Sequence, residues 1–463
     1  GFAAAKTVVE NTFSTQYIEH AFLEPEVGLA WMDEQKVINI RTSTQCVEHF
    51  RDVAEAIGVP HSKVRFRGAL VGGGFGGKSD VLVELYLALL TMATKRPVRM
   101  CYSREESFFG HGKRHPFTIT HKTGFDKNGK ITAAKIDITS ESGPYAYMSP
   151  YVLMYATEAG PGPYRVDNVH VDSRSVATNN MYTTAFRGFG ATQACIAYEQ
   201  QMDEAAKVMG IDRLELRRRN FLQTGDAIAT GFKVESAVWT DKCMTAAVEA
   251  LGDPTPDNGP IKTGRGVATY QQAYGRLVWL HDTAEAWIGI EMDATVVIRS
   301  GITDIGAGQT SSLAQIAAEL LGVNMDAITV YNSDSSTTPL AGTSTATRGL
   351  YMSGNAARLA AERLRGRLVA RAARKFGVEP DDVDLAESTA FVIDDRERSM
   401  PLEELVVICA SEGIRRNELA MFRAPFGDWI DSETGQGQVH ADYTYGAHAV
   451  EVTVDTETGE VTI

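Results

Sequence analysis

The sequence contains little cysteine, and none of it has metal-binding spacing. Its 463 residues include five cysteines and no C-x-x-C pair: Cys46, Cys101, Cys195, Cys243 and Cys409. Structural zinc sites and ferredoxin-type clusters need closely spaced thiolate ligands. We therefore expect reduced thiols of the kind found in cytoplasmic proteins, and no zinc site or iron–sulfur cluster built from this chain alone.

Several other signals are absent. No apolar run approaches the roughly 18 residues that span a bilayer, and residues 1–8 lack the pattern of a secretory signal. The net charge of −14 disfavours a nucleic-acid partner. Neither the zinc-protease motif H-E-x-x-H nor the hydrolase motif G-x-S-x-G occurs. We expect a cytoplasmic protein that acts on a small molecule, without nucleic-acid or membrane partners.

The length predicts more than one domain. The segment Asp253–Pro260 is rich in Pro, Asp, Asn and Gly, which is typical of a linker. We predict a first domain over residues 1–252, a linker over 253–264 and a second domain over 265–463. Because the sequence starts within ordinary sequence and stops just after a hairpin turn at Thr458-Gly459, we expect a subunit, processed piece or fragment of a larger unit.

One local pattern occurs four times. An amphipathic segment ends in an apolar-Gly-apolar step, and a short β-type run follows. Glycine after the last helical residue ends a helix because it adopts the left-handed conformation freely. The pattern predicts helix–turn–strand units and an α/β or α+β fold of mixed sheets and helices. The glycines are Gly58, Gly210, Gly322 and Gly377, and the runs that follow are 64–66, 214–216, 328–330 and 383–385. The run 214–216 also fits a helix.

Alternating apolar and polar residues predict further strands. They cover residues 131–139, 169–176, 295–299 and 447–454. Asp126–Gly129 lies between β-type runs and predicts a hairpin turn.

The most distinctive local signal is a glycine loop at Val71–Ser79, with five glycines between positions 72 and 77. It follows a strand-like run and precedes a helical pattern. Such a loop lets a ligand approach the backbone and frees N–H groups for it. Gly72–Ser79 also fits the pattern G-x-x-x-x-G-K-S, so a P-loop NTPase is one alternative. That alternative leaves the other glycine loops unexplained.

Three more loops combine glycine with a strand-to-helix turn. Backbone amides and helix N-termini at such turns favour anionic or acceptor-rich ligands. Together the four loops predict one large polar ligand contacted from several sides. The three are Thr184–Thr192, Asp304–Thr310 and Thr338–Ser344.

Two of these loops resemble signature loops of the xanthine dehydrogenase/aldehyde oxidase family of molybdenum hydroxylases. They are Gly72-Gly73-Gly74-Phe75-Gly76-Gly77-Lys78 and Ala185-Phe186-Arg187-Gly188-Phe189-Gly190. The segments Gln16–Pro25, Ser43–Gln45 and Arg217–Phe221 also resemble the family, in the same order. The resemblance implies two molybdenum-cofactor-binding domains of mixed sheets and helices, as in xanthine dehydrogenase, and a molybdenum-dependent oxidoreductase.

The resemblance implies a molybdenum held by the dithiolene of a pyranopterin, with or without an attached cytosine dinucleotide, and with no direct protein ligand. Gln45 would hydrogen-bond an oxygen ligand of the metal, and Phe75 and Gly76 would present backbone amides near it. Arg187 would support the cofactor through its backbone, and Phe189 would stack on a flat substrate. The implied cofactor-binding residues are Gln45, Gly74, Phe75, Gly76, Arg187, Gly342, Thr343, Ala346 and Thr347.

Two departures from the family pattern concern the substrate. Purine-oxidising members have Glu after the loop lysine, where this sequence has Ser79, and an upstream Arg, where it has Tyr155. Both changes remove charges that would pair with a purine's polar edge. We therefore expect an aldehyde or a nitrogen heteroaromatic rather than xanthine, with Ser79, Tyr155 and Phe189 as substrate-binding residues. The family's Gly-Gln-Gly in the third loop reads Gly306–Gly308 with Gln309 after it, which leaves the glutamine's pterin contact open.

The family's catalytic base is a Glu in a Gly-Glu-Pro-type loop near the C-terminus, and no such motif occurs here. The resemblance thus implies no catalytic base in this chain. The base would come from a partner chain or a missing segment that completes the C-terminal part. Electrons would leave through 2Fe-2S centres to FAD, on an iron–sulfur subunit and an FAD subunit. A further alternative is a non-catalytic relative that keeps the fold without the cofactor.

Overall fold

The computed structural model describes residues 1–276, 282–424, 430–431 and 433–463. The chain forms two compact units, each assembled from separate segments. Unit 1 comprises Gly1–Glu19, Gly112–Trp279 and Phe426–Ile463, and unit 2 comprises His20–His111 and Leu280–Pro425. Among the described residues, no helix is long and apolar enough to cross a membrane.

Strands and helices are interspersed along the chain. The strands are β1 Thr7–Ser14, β2 Val27–Met32, β3 Ile38–Thr42, β4 Val64–Gly68, β5 Val98–Cys101, β6 Phe117–Phe125, β7 Ile131–Gly143, β8 Val169–Ala177, β9 Ile261–Arg276, β10 Thr283–Ile290, β11 Val296–Ser300, β12 Ile328–Asn332, β13 Val383–Ala386, β14 Thr389–Val392, β15 Asp395–Pro401, β16 Asn417–Arg423, β17 His440–Asp455 and β18 Val461–Thr462. The α-helices are α1 Phe50–Ile57, α2 Val83–Thr94, α3 Arg104–Gly110, α4 Ser149–Ala159, α5 Ala191–Met209, α6 Arg213–Asn220, α7 Thr240–Ala250, α8 Gln309–Leu321, α9 Asn355–Phe376 and α10 Leu402–Ser411. A π-helical turn, Gly349–Gly354, precedes α9.

Unit 1 contains two sheets. The first has the strand order β1-β6-β7-β8, and helices α4 and α5 pack against it. The second has the order β18-β17-β9, with α7 against it. Alternate residues of β6 and β7, such as Ile119, Ile136 and Ile138, are at most 2% exposed and form the core under the helices.

A buried ion pair ties helices α5 and α6 of unit 1 together. Arg217 is fully buried and donates from Nε to Glu199 Oε2 at 2.9 Å and from Nη1 to Asp203 at 2.7 Å. The Glu199 carboxylate also accepts from the backbone N–H and hydroxyl of Thr269, in β9. A buried guanidinium is tolerated because its donors are satisfied by carboxylates in this way.

Unit 2 contains two four-stranded sheets with the same arrangement of strands. One has the order β4-β3-β2-β5 and the other β12-β11-β10-β16. Taken in chain order from β2 and from β10, the second strand of each runs antiparallel to the first and parallel to the third. Helices α1 and α2 cover one sheet, α8 and α9 cover the other, and α10 packs beside a small sheet of order β13-β14-β15. Both halves of the chain thus contribute the same strand–helix–strand unit.

The structure confirms the mixed α/β fold and most local predictions. The glycines of the repeated pattern all end helices with φ between +65° and +73°. The predicted strands lie in β4, β7, β8, β11, β12, β13 and β17, and Asp126–Gly129 turns between β6 and β7. The strand prediction for residues 214–216 is wrong, because they lie inside α6. Asp212 caps that helix by accepting from the N–H groups of Leu214 and Glu215.

The compact units do not follow the order of the chain. Each unit combines residues from before and after the segment 253–264. Within that segment, β9 already begins at Ile261. The division into consecutive domains at 253–264 stays a prediction.

An ion pair joins the two large sheets of unit 2. Arg65, on β4, donates to both carboxylate oxygens of Asp334, just after β12, at 2.9 and 2.6 Å. The guanidinium and the backbone N–H of Ser336 hold the pKa of Asp334 down, at about 2 against an ordinary 3.8. A paired geometry with two parallel hydrogen bonds is the strong form of this contact.

This ion pair predicts a pH-dependent stability. Because the pKa of Asp334 is depressed in the folded state, its contribution is complete above about pH 4 and is lost as pH falls through about 2. We expect Asp334→Asn to reduce the free energy of unfolding by about 2 kcal/mol at pH 6, and by progressively less between pH 4 and 2. Urea unfolding at several pH values measures this. Asp326→Asn, at an exposed turn, is the control. A difference between Asp334→Asn and wild type that does not change with pH would contradict the account.

Candidate functional site

Four loops of unit 2 follow the carboxyl ends of its two parallel strand pairs. Gln45 follows β3 and the glycine loop Val71–Ser79 follows β4. The loop Asp304–Thr310 follows β11, and the loop Thr338–Ser344 follows β12. Direct hydrogen bonds join them: Val71 N–H donates to Asp304 O at 3.2 Å, and Ser344 N–H to Gln45 O at 2.9 Å. Ligands of α/β sheets bind beyond the carboxyl ends of strands, so this edge is the candidate site.

An ion pair with a buried lysine fixes the glycine loop. Lys78 is fully buried, and its Nζ donates to Glu24 Oε2 at 2.9 Å, Glu24 O at 2.7 Å and Ser43 Oγ at 2.7 Å. The same Glu24 oxygen accepts from Gly72 N–H at 2.7 Å, at the start of the loop. These bonds, with Ser43, lower the pKa of Glu24 although its partial burial opposes this.

This geometry contradicts the P-loop alternative. An ammonium has three N–H donors, and the three of Lys78 face acceptors within the protein. Lys78 therefore has no donor for a nucleotide phosphate. The loop also does not run directly into an α-helix, because it ends in a single 3-10 turn, Gly77–Ser79, and α2 starts only at Val83.

The side-chain amide of Gln45 connects the glycine loop to the loop Thr338–Ser344. Its Oε1 accepts from Gly76 N–H at 2.9 Å, and its Nε2 donates to Ser344 O at 2.8 Å. Gln45 is 1% exposed. An amide nitrogen carries two N–H groups, so one remains beyond this bond for a further acceptor. A Cβ at Gly74 would lie 2.4 Å from Gln45 Oε1, so only glycine fits beside it.

A second buried ion pair shapes the loop from Gly342 to Thr347. Arg348 and Asp282, each 4% exposed, are joined at 2.6 Å. Arg348 Nη1 also donates to Ala341 O at 2.6 Å and Thr343 O at 2.9 Å. Gly342 has φ +69°, and a Cβ there would lie 2.8 Å from the Arg348 guanidinium. The loop's path is therefore determined by buried charges.

Several predicted site residues have unusual backbone conformations. Phe75 (φ +50°), Phe189 (φ +49°), Ala346 (φ +48°) and Thr347 (φ +63°) are non-glycine residues in the left-handed region. This conformation costs free energy for residues with a Cβ, and it is commonly retained at ligand-binding sites. Four of the predicted residues thus share a feature of functional loops.

The carboxylate of Asp304 organises the loop Asp304–Thr310. It accepts from the N–H groups of Gly306, Gly308 and Thr310 at 3.0 to 3.3 Å. Gln309 is the first residue of α8, and its Oε1 is buried without a hydrogen-bond partner among the described residues. Buried amide oxygens without a partner are rare, so this atom is a candidate ligand contact.

The Phe-Arg-Gly-Phe loop lies in unit 1, at the start of α5. Arg114 supports it from the segment just before β6: its Nη2 donates to Arg187 O at 2.8 Å, and its guanidinium carbon lies 3.8 Å from the Phe186 ring centroid. The side chain of Arg187 is exposed. The Phe189 and Tyr155 rings meet edge to face, with centroids 6.2 Å apart.

The Tyr155 hydroxyl is already used within unit 1. It donates to Ala273 O at 2.9 Å and accepts from Gln272 Nε2 at 2.7 Å. Burial, with the nearby Glu158 charge, raises its pKa well above 10. His440 packs edge to face on the ring, and its Nδ1 lies 2.9 Å from Glu158 Oε2. Tyr155 is therefore a fixed, neutral aromatic neighbour of Phe189.

Ser79 occupies a buried position. It is 4% exposed, and its Oγ has no hydrogen-bond partner among the residues that the structure describes. The predicted residues thus divide between the units. Gln45, Gly74–Gly76, Ser79 and Gly342–Thr347 lie in unit 2, and Tyr155, Arg187 and Phe189 lie in unit 1.

Sequence reasoning missed the buried charges that hold these loops. Glu24, Asp282, Arg348 and Arg114 lie outside the glycine motifs, and the partners in these contacts are 54 to 73 positions apart. Their burial could not be seen in the local sequence. The family segment Gln16–Pro25, which includes Glu24, was the one available signal.

The comparisons with known proteins agree with this arrangement. Two molybdopterin cofactor-binding domain families match residues 1–221 and 242–463. The chain is 42% identical over 256 residues to the nicotinate dehydrogenase large molybdopterin subunit of Eubacterium barkeri, over 54% of this chain and 60% of that protein. It is 30% identical to a probable xanthine dehydrogenase component of Bacillus subtilis (strain 168), over 100% of this chain and 61% of that protein.

A solved structure shows the same fold. The aldehyde oxidoreductase from Desulfovibrio gigas superposes with a TM-score of 0.86 at 28% identity, over 100% of this chain and 48% of that chain. The chain therefore spans about half to three-fifths of the length of these relatives. Two cofactor-binding domains together account for nearly the whole sequence, and the chain belongs to the molybdenum hydroxylase family of xanthine dehydrogenases and aldehyde oxidoreductases.

Proposed function

We propose that this chain is the cofactor-binding component of a molybdenum hydroxylase that oxidises an electron-poor nitrogen heteroaromatic. The observation that carries this proposal is the set of hydrogen bonds by which Gln45 joins the glycine loop to the loop Gly342–Thr347. A relative named nicotinate dehydrogenase shares 42% identity over 256 residues, which supports the heteroaromatic class. An aldehyde is the second candidate, because the structural relative is an aldehyde oxidoreductase.

The residues of unit 2 fit an acceptor-rich cofactor. Gln45 retains one amide N–H, Gln309 retains a buried carbonyl oxygen, and Gly74 leaves no room for a Cβ. Within this unit, Gln45, the backbone of Gly74–Gly76, and the loop Gly342–Thr347 would hold the molybdenum–pyranopterin. No side chain of these loops is proposed as a direct metal ligand. In unit 1, Arg187 would contribute its backbone.

When bound, the cofactor supplies the oxygen-transfer and two-electron redox chemistry. This chain's own residues bind and orient. Gln45 would donate a hydrogen bond to an oxygen carried by the metal, and the fixed peptide groups of Phe75 and Gly76 supply oriented dipoles. Because the buried Lys78 is paired with Glu24, the loop keeps its shape without reorganisation.

The substrate side of the proposal rests on aromatic contacts without charge. Phe189 would stack on a flat ring, and the Tyr155 ring packs edge to face with Phe189. Tyr155 replaces an arginine and Ser79 replaces a glutamate of purine-oxidising members. Neither replacement can form an ion pair with a purine's polar edge, so we propose discrimination against xanthine.

The partners are also proposed. No Gly-Glu-Pro-type loop occurs in the sequence, so the base glutamate would come from a partner chain or a further segment. A partner chain of this kind would supply the C-terminal part of the cofactor-binding region. This agrees with the coverage of the relatives, since the present chain spans 48–61% of their length. An iron–sulfur subunit and an FAD subunit would carry electrons away. The alternative hypothesis is a non-catalytic relative that keeps the fold, and it predicts a complex without molybdenum cofactor.

A substrate panel tests the proposal. The complex purified with the tagged chain is incubated in ¹⁸O-labelled water with nicotinate, quinoline, benzaldehyde and xanthine, and products are read by mass spectrometry. We expect one ¹⁸O atom in a hydroxylated heteroaromatic and at least roughly tenfold less turnover of xanthine, the effect of about 1.4 kcal/mol in transition-state binding. Label in benzoate alone would select the aldehyde candidate. Preferred oxidation of xanthine would contradict the proposal.

The close contact at Gly74 predicts a loss of cofactor on substitution. In Gly74→Ala, the new Cβ displaces Gln45, because it would lie 2.4 Å from Oε1. Such overpacking costs about 1–3 kcal/mol, and we expect a roughly 5- to 150-fold weaker retention of molybdenum per chain, measured by metal analysis. Gly366→Ala, exposed in α9 with open space around it, is the matched control. We expect it to keep the metal and to gain up to about 1 kcal/mol in stability. Equal metal content in both variants would rule out the proposed role of Gly74.

A further inference from the structure

One sheet of unit 2 has a face that no helix covers. In the sheet β4-β3-β2-β5, helices α1 and α2 pack on the face that carries buried residues such as Ala30 and Ile40. Side chains alternate between the two faces of a strand, so the residues between these point away from the helices. Leu29, which is 38% exposed, and the exposed Arg41 and Arg99 lie on this outer face.

The strand register places three arginines in one row across the outer face. Arg67 lies opposite Arg41 on the neighbouring strand. Leu29, on the next strand, lies opposite both Arg41 and Arg99. We call Arg67, Arg41, Leu29 and Arg99 the arginine row. Like charges at directly opposite positions of a sheet repel each other, so the row by itself lowers the stability of the sheet.

Carboxylates of the same chain compensate only one of these charges. Arg67 Nε lies 3.5 Å from Asp334 Oδ2, a carboxylate that is already paired with Arg65. For Arg41 and Arg99, no carboxylate lies within ion-pair distance in the part of the chain that the structure describes. Two exposed positive charges of one row therefore have no opposite charge within the chain.

The equivalent row of the other large sheet shows how such a charge is satisfied internally. There, Arg299 on β11 takes the place of Arg41 on β3, and its neighbours across the sheet are aromatic. Its guanidinium carbon lies 5.4 Å from the Trp287 ring centroid and 5.6 Å from the Tyr331 ring centroid. Such cation–π contacts stabilise a guanidinium without a carboxylate. Among the described residues, no aromatic ring makes this contact with Arg41 or Arg99.

We propose that the arginine row is a docking surface for another subunit of the complex, which contacts the row through carboxylates. Arg41 and Arg99 would each pair with a carboxylate of that subunit, in the geometry that guanidinium and carboxylate groups favour. Leu29 would lie between the two ion pairs, and arginine is among the residues enriched in protein interfaces. The net charge of −14 favours a protein over a nucleic acid, whose phosphates the rest of the chain would repel.

This inference rests on the part of the proposed function that gives the chain partner subunits. It adds the surface at which one of them binds and the sign of the charge that this subunit presents.

Zero-length cross-linking tests the contact in the intact complex. Arg41→Lys and Arg99→Lys keep the positive charge and introduce an amine, which a carbodiimide joins to a carboxylate in direct contact. Arg174→Lys is the matched control, because Arg174 is an exposed arginine on β8 of unit 1 without an ion-pair partner among the described residues. Each complex is purified with the tagged chain, treated with the carbodiimide and analysed by peptide mass spectrometry. We expect positions 41 and 99 to link to acidic residues of one other subunit, and Arg174→Lys to give no link to that subunit.

Charge reversal measures how much the contact contributes to assembly. In the double variant Arg41→Glu/Arg99→Glu, like charges would face each other across the interface and weaken the association. We expect this variant to retain at least roughly tenfold less of the cross-linked subunit than wild type at the same ionic strength, and Arg174→Glu to retain as much as wild type. The lysine variants keep the native charge, so they test the contact even where the double variant fails to fold.

Several results would overturn the inference. The introduced amines could link only to carboxylates of this chain, they could give no link in a complex that contains its other subunits, or the double variant could retain the subunit as wild type does. Nucleic acid that binds the wild-type chain and is lost in the double variant would assign the row to nucleic acid instead. A chain that purifies without any other subunit would contradict the proposed partners, and this inference with them, whatever its molybdenum content.

Discussion

The structure of the candidate site depends on one buried amide. Gln45 accepts from the backbone of Gly76 and donates to the backbone of Ser344, so a single side chain sets the spacing of two loops that lie far apart in sequence. Both loops consist largely of glycine and small residues, which cannot fix each other by side-chain packing. The amide supplies the missing constraint, and its burial makes each of its hydrogen bonds costly to lose.

Ion pairs of two buried cations, Lys78 and Arg348, hold the outer ends of these loops. Lys78 with Glu24 fixes the glycine loop, and Arg348 with Asp282 fixes the loop Gly342–Thr347. The two large sheets of unit 2 have the same strand arrangement, so equivalent edges present equivalent loops. A fold of this kind provides backbone N–H groups from several directions within one unit. That property suits a large acceptor-rich ligand better than it suits a simple phosphate.

The fold class and the loops could be predicted from sequence because their signals are local. Glycine at positions 58, 210, 322 and 377 ends helices by its backbone alone, and the alternating run of β7 reflects one buried face. The strand prediction for 214–216 fails because that run is too short to distinguish the two periods. Asp212, two residues before this run, caps the N-terminus of the helix that contains residues 214–216.

Other features depend on distant partners and could not be predicted. The sequence of the glycine loop fits the P-loop pattern. The structure shows that the ammonium of Lys78 is buried and already hydrogen-bonded within the protein, to Glu24, 54 positions earlier, among others. The family pattern points to Tyr155. That its hydroxyl donates to Ala273 O could not be predicted, because Ala273 lies in a strand 118 positions away. The compact units likewise combine both ends of the chain, which no linker composition reveals.

The central claim is that these loops hold a molybdenum cofactor in the native complex. Metal analysis of the complex purified from its native host, expressed per copy of this chain, tests it most directly. The account predicts about one molybdenum per chain, together with iron and flavin in the same complex. Intact, freshly purified complex without molybdenum would contradict it.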